Sequence, residues 1–412
     1  YLRDFILNKR KQYLNFNNMN KLSDRINKLA TSQTLAMAAL ARELKAQGKD
    51  IISLSLGEPD FNTPEFIKEA AIQAIHDNYS TYSPVDGYGD LKEAICLKFK
   101  RDNNLDYKPS QIVVSTGAKH SLYNITQVLL NPGDECILPA PYWVSYVELV
   151  KMADGIPVEV PTTIESDFKI TPAQLEAAIT PKTKMIMFSS PCNPSGSVYN
   201  REELTALAKV LEKHPDIIIV ADEIYEHINF SNSFCSIASI PGMYERTVTV
   251  NGVSKAFAMT GWRIGYIGAP EYIAKACTKM QGQVTSGANG IAQRATIEAV
   301  KASPDKIKYM VTEFHKRRDL VVGLLKDIPG VKINVPDGAF YVFPDVSSFF
   351  GKTLRGMQIN NAEDFSMYLL KEACVATVTG DAFGNADCIR FSYAASEDQL
   401  KEALKRIKEA LA

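Results

Sequence analysis

Ile217-Ile218-Ile219-Val220-Ala221-Asp222-Glu223-Ile224-Tyr225 decides the fold of this 412-residue chain. Five apolar residues in succession, four of them β-branched, leave no polar face for solvent. That is the pattern of an inner strand buried on both sides, the habit of parallel sheets sandwiched between helices. The strand ends in a carboxylate. Ligands of open α/β sheets gather beyond the carboxyl ends of the strands, so Asp222 stands where a site is expected, although capping a following helix is its ordinary alternative.

Working outward, similar runs occur at 112–115, 135–139, 156–160, 184–189, 247–251 and 263–268, which with 217–221 make about seven strands, and 118–130, 143–153 and 201–213 read as helices. The expected class is α/β, with a mostly parallel seven-stranded sheet. The chain ends differ. Helices are expected at Arg25–Gln47, Lys306–Lys326, Ala362–Glu372 and Glu397–Leu411, with short strands near 331–335, 340–343 and 388–393. This pattern predicts a large domain over 63–299 and a smaller α+β domain built from 21–62 and 300–412, with a cleft at their boundary. Residues 1–20, polar and Asn-rich with a Lys9-Arg10-Lys11 cluster, read as an N-terminal extension, and Met19 as a plausible start.

Composition narrows the chemistry. With 46 basic and 47 acidic residues the formal charge is −1, which gives no general attraction to nucleic acid or to an anionic membrane. No run approaches the roughly 18 apolar residues of a membrane span, and a cytoplasmic address is expected. The seven cysteines are scattered without a Cys-x-x-Cys pair and the five histidines lack ligand spacing, so neither a disulfide framework nor a metal site is expected.

The stretch Val253-Ser254-Lys255-Ala256-Phe257-Ala258-Met259-Thr260-Gly261-Trp262-Arg263 places a lysine among small residues and a hydroxyl, with a guanidinium a short distance on. Lys255 suits an amine bound covalently to a phosphorylated aldehyde cofactor. Asp222 suits a protonated pyridine nitrogen, and Tyr225 a phenolic oxygen of the same ring. Asn193, in the turn Ser190-Pro191-Cys192-Asn193-Pro194-Ser195-Gly196, can hydrogen-bond that oxygen. Ser115-Thr116-Gly117-Ala118-Lys119 runs from strand into helix and offers backbone N–H groups to an anion, with Ser254 and Arg263 as further phosphate partners. Trp143 follows a strand and can stack on a planar ring.

Taken together these residues resemble the pyridoxal-phosphate aminotransferases of fold type I, in their bacterial aspartate aminotransferase branch of the Thermus and Rhizobium kind. The resemblance runs from about 22 to 410. Its specific parts are Ser-Leu-Gly-Glu-Pro-Asp-Phe (55–61), Tyr-Ser-Pro-Val-Asp-Gly (82–87), Pro-Tyr-Trp-Val-Ser-Tyr (141–146), Ala-Asp-Glu-Ile-Tyr-Glu-His (221–227), Ser-Lys-Ala-Phe-Ala-Met-Thr-Gly-Trp-Arg-Ile-Gly-Tyr (254–266) and Arg-Phe-Ser-Tyr (390–393).

The resemblance implies pyridoxal 5'-phosphate held covalently by Lys255, with Asp222 at the ring nitrogen, Tyr225 and Asn193 at the phenolic oxygen and Trp143 on the ring face. Arg263, Ser254 and the Ala118 and Lys119 amides then hold phosphate. It also implies a homodimer in which Tyr82 reaches the phosphate of the neighbouring subunit. Gly57 and Arg390 match positions that bind the amino-acid end of the substrate. Lys119 matches a lysine that contacts a distal carboxylate, which implies amino-group transfer from L-aspartate to 2-oxoglutarate. Aminotransferases of alanine, aromatic amino acids or kynurenine, and a cofactor-binding regulator, are the alternatives. Relatives that use prephenate have Lys-Pro-Ser-Ala-Thr where this chain has Ala30-Thr31-Ser32-Gln33-Thr34. Prephenate is a further alternative, and loss of that lysine counts against it.

Overall fold

The computed structural model describes residues 22–231 and 233–412. The N-terminal extension expected at 1–20 lies outside them. The described residues 22–31 and 32–412 fall into two compact units. In the first, the described part holds a single helical turn, Asp24–Asn27, capped by the Ser23 hydroxyl.

The central sheet of the second unit has seven strands: β1 (Ile112–Ser115), β2 (Glu135–Ala140), β3 (Ile156–Pro161), β4 (Thr183–Ser189), β5 (Ile218–Asp222), β6 (Thr247–Gly252) and β7 (Gly265–Gly268). Their spatial order is β1-β7-β6-β5-β4-β2-β3. All neighbours pair in parallel except β7, which runs antiparallel to both β1 and β6. The expected mostly parallel sheet is present.

Alternation along β5 shows how the opening stretch works. Ile218 and Val220 pack with Tyr146, Leu122 and Ile273 on one side, whereas Ile219 and Ala221 pack with Leu204 and Leu207 on the other. Successive side chains of a strand point to opposite faces. Asp222 therefore emerges on the Val220 side, where Tyr146 waits. Each isoleucine buried in this way contributes about 1.5–3 kcal/mol.

The flanks of the chain assemble a further layer. Ile52–Ser53 pairs in parallel with Val375–Ala376, and Ile389–Ser392 lies between Val378–Thr379 and Tyr341–Val342 in an antiparallel sheet. The Glu397–Leu411 helix has the bounds expected. Three other expectations need correction. The helix read as Arg25–Gln47 is two helices, the second running Gln33–Ala46 with the Ser32 hydroxyl capping Leu35 N at 3.5 Å. The strand read at 331–335 is reduced to a bridge between Lys332 and Asp345. The last strand of the large sheet starts at Gly265 rather than 263, because Arg263 takes a left-handed φ of 58° after the Thr260–Trp262 turn.

Candidate active site

A cavity of about 440 Å³ opens at the carboxyl edge of the sheet. Asp222 enters it from β5, Ser254 and Lys255 from the end of β6, and Asn193 from the turn after β4. Ala118 and Lys119 begin the helix after β1, and Trp143 follows β2. Gly57, Tyr225, Arg263 and Arg390 complete the set. Eleven of the twelve residues singled out in the sequence thus converge. Tyr82 is the exception: it is 95% exposed and does not line the cavity.

Lys255 Nζ donates to the Gly57 carbonyl at 2.6 Å. Burial first, and then the positive charge of Arg390, lower its pKa to about 8. Such an amine is uncharged in a useful fraction near neutrality. Asp222 shows the converse effect. Burial raises its carboxyl to about 6, although the Tyr146 hydroxyl donates to it at 2.8 Å and Ile224 N at 3.3 Å. A carboxylate this deep favours a cationic partner that the surrounding neutral donors do not supply.

Arg390 is 2% exposed, and its NH1 and NH2 donate to Asn193 Oδ1 at 2.9 Å and to the Ser55 carbonyl at 2.7 Å. Its guanidinium lies 4.6 Å from the Tyr341 ring centre and 4.8 Å from that of Phe383. The Nε is buried without a protein partner. Tyr225 shares a 2.7 Å hydrogen bond with Tyr341, and burial followed by Tyr341 keeps its phenol protonated.

The junction after β1 has the form of an anion cradle. Gly117 caps the Ala118–Leu129 helix with φ 83° and brings no side chain to the first-turn N–H groups. A Cβ there would strike the Arg263 guanidinium, so glycine is what lets the arginine lie over the helix end. Gly265 does the same for the backbone: a Cβ on β7 would run into the Ala118 amide. Lys119 Nζ stands 4.8 Å from the Trp143 ring centre. Desolvation of its ammonium, and then Arg263, lower its pKa.

This donor set fits pyridoxal 5'-phosphate. The fit rests on a deprotonatable amine, a buried carboxylate suited to a ring N–H, a phenol and an amide lining the same cavity, and an arginine over a helix start that no side chain caps. Among the described residues one other group gathers ligand-type atoms, Asp102, Glu226 and His227, within 4.8 Å. The Lys98 ammonium already pairs with Glu226 there and lies 3.8 Å from Asp102.

Sequence reasoning missed Tyr146, Tyr341 and Ser55. Tyr146 had a usable signal, since it sits one helical turn after Trp143 in the same quoted motif and so shares its face. Ser55 contributes only its carbonyl, for which side-chain identity carries no signal.

Residues 49–407 match the model of the family "Aminotransferase class I and II". The chain belongs to that family. It is 49% identical over 390 residues to the aspartate/prephenate aminotransferase of Cereibacter sphaeroides, covering 94% of this chain and 98% of that one. Among solved structures it is similar to the aspartate aminotransferase of Rhizobium meliloti, with TM-score 0.92 and 44% identity over 95% of this chain and 98% of that one. It is also similar to the Thermus thermophilus aspartate aminotransferase with maleate, with TM-score 0.89 and 41% identity over 95% and 99% of the two chains.

Proposed function

We propose that the protein is a pyridoxal-phosphate aminotransferase that moves the amino group of L-aspartate to 2-oxoglutarate, giving oxaloacetate and L-glutamate. One observation carries the reading: the Lys255 amine, with its pKa lowered to about 8, shares a cavity with buried Asp222 and with the Arg390–Asn193 pair. The cofactor, when bound, supplies an aldehyde carbon for amine exchange and a protonated ring that accepts the electron pair left at the substrate Cα.

The residues divide the rest of the work. Lys255 would hold the cofactor and, as a free amine, would take the proton from the substrate Cα, for which a pKa near the working pH is the effective value. Asp222 would keep the ring nitrogen protonated. Tyr225 and Asn193 would hold the phenolic oxygen, and Trp143 would cover the ring. Ser254, Arg263 and the Ala118 and Lys119 amides would take the phosphate. Arg390 clamps the substrate α-carboxylate beside Gly57, fixing which Cα bond is aligned to break.

Lys119 directs the choice of substrate toward dicarboxylates, in keeping with the maleate held by the Thermus relative. Prephenate is a second reading, favoured by the name of the Cereibacter relative, against which stands the missing lysine at Ala30. The reading includes a cytoplasmic homodimer in which Tyr82 completes the neighbour's phosphate site. It also takes 63–299 as the cofactor-binding domain and the flanks as the smaller one, supported by the pairing of 52–53 with 375–376. A spectrophotometric half-reaction screen of the cofactor-loaded protein against the common amino acids tests the assignment. Fastest conversion by aspartate and glutamate is expected, and preference for alanine or phenylalanine would reject the dicarboxylate assignment.

A further inference from the structure

The loop that carries Tyr82 is bolted down by two glutamines that the site itself does not use. Gln281 and Gln293 are both 0% exposed. Gln281 Nε2 donates to the Val85 carbonyl at 2.5 Å and to the Val114 carbonyl at 2.7 Å, while its Oε1 accepts from Asn124 Nδ2 at 3.1 Å. Gln293 Oε1 accepts from Tyr88 N at 3.0 Å, and its Nε2 donates to Ser83 Oγ at 3.0 Å and to the Ala288 carbonyl at 2.9 Å. Val114 N adds a 3.0 Å bond to the Asp86 carbonyl. Gly87 presses the loop on Val114, since a Cβ at its φ of +101° would lie 2.7 Å from the valine Cγ2.

A fully buried amide is placed only where its donors and acceptor are all used; both glutamines meet that demand, Gln281 with one of its bonds on the 83–88 loop and Gln293 with two. The residue next to the loop is Tyr82, almost wholly in solvent. Holding the base of an exposed aromatic rigid removes the ordering penalty it would otherwise meet on docking. Val114 is also the penultimate residue of β1, the strand that feeds the anion cradle at Gly117. The same Gln281 amide therefore ties the loop to the cradle of its own chain.

We propose that Gln281 and Gln293 are positioning residues that act in trans, fixing the 83–88 loop so that Tyr82 reaches the phosphate cradle of a second copy of this chain. The inference rests on the shared-site reading above. Gln281→Met and Gln293→Met keep the side-chain size and remove the donors. Each is expected to weaken pyridoxal-phosphate binding by roughly tenfold, the scale of residues that support a ligand from behind, as read by the cofactor's absorbance on titration of the apo-protein.

Hybrid dimers separate this effect from a general loss of structure. Pairing a Gln293→Met subunit with a Lys255→Ala subunit leaves one lysine site, which receives an intact loop, and its affinity should return to the wild-type value. Pairing a wild-type subunit with one carrying both substitutions should weaken that single site. A defect that stays with the subunit bearing Gln293→Met in both hybrids overturns the proposal. A monomeric protein, or Tyr82→Phe without effect on affinity, overturns the shared-site reading and this proposal with it. If Tyr82→Phe weakens binding in trans and both glutamine variants bind normally, the proposal alone falls.

Discussion

Arg390 and Asn193, 197 positions apart in the chain, meet in a 2.9 Å hydrogen bond between guanidinium NH1 and amide Oδ1. The clamp for a carboxylate is thus aimed by a group assigned to the cofactor. Lysine cannot reproduce two donors in a fixed fork. Arg390→Lys should lower kcat/KM for the amino acid roughly a hundredfold, the effect of losing about 3 kcal/mol of charge-assisted hydrogen bonding. Steady-state kinetics with aspartate check this, and a change below threefold would contradict it.

Lys255→Ala should abolish turnover and covalent retention of the cofactor. A finer expectation concerns pH. The free amine of Lys255 is nucleophilic only when deprotonated, so the rate of cofactor capture by the apo-protein should rise through a midpoint near pH 8. Glu58 holds the proton on by its negative charge, so Glu58→Gln should move the midpoint lower. Stopped-flow mixing across pH 6–10 measures both, and an upward shift would contradict the assignment.

Asp222→Asn should make the apo-protein more stable while disabling it. Burial lifts the folded carboxyl to about 6 from its ordinary 3.8, so the folded state binds protons more tightly than the unfolded one. Stability is then unaffected below the unfolded value and declines as pH rises through about 6. Removing the charge should recover about 2–3 kcal/mol at pH 8 and nothing near pH 3, from 1.36 kcal/mol per pKa unit. Urea denaturation of apo-proteins at the two pH values reads this directly.

Lys119→Leu should raise KM for aspartate and glutamate while leaving alanine nearly unchanged. The ratio of the two kcat/KM values is the informative quantity. An equal loss for both substrates would assign Lys119 to the phosphate instead.

The strands were legible because residues such as Ile217 to Ala221 have no polar face to offer solvent, and a continuous apolar run admits few other placements. Asp222 and Asn193 were legible for a related reason, since each comes after such a run, whereas Lys255 was legible from the small residues, the hydroxyl and the nearby Arg263 around it. What stayed hidden was decided by single hydrogen bonds or backbone angles. Ser32 restarts a helix that periodicity alone reads as unbroken. The left-handed turn at Arg263 delays the last strand by two residues. Tyr146 and the Ser55 carbonyl act through partners brought close only by folding, and of the two only Tyr146, one turn after Trp143, leaves a trace in the local pattern.

The reversed direction of β7 has one more consequence. Because it runs against β6, the chain leaves the sheet at Gly252 and re-enters at Gly265 on the same edge, so Lys255 and Arg263 belong to a single hairpin connection. The reach between the amine and the guanidinium proposed to hold phosphate is therefore gauged by the length of that connection, like a ruler cut to the proposed cofactor. A residue added to or deleted from 256–262 would mismeasure the cofactor while leaving every strand in register.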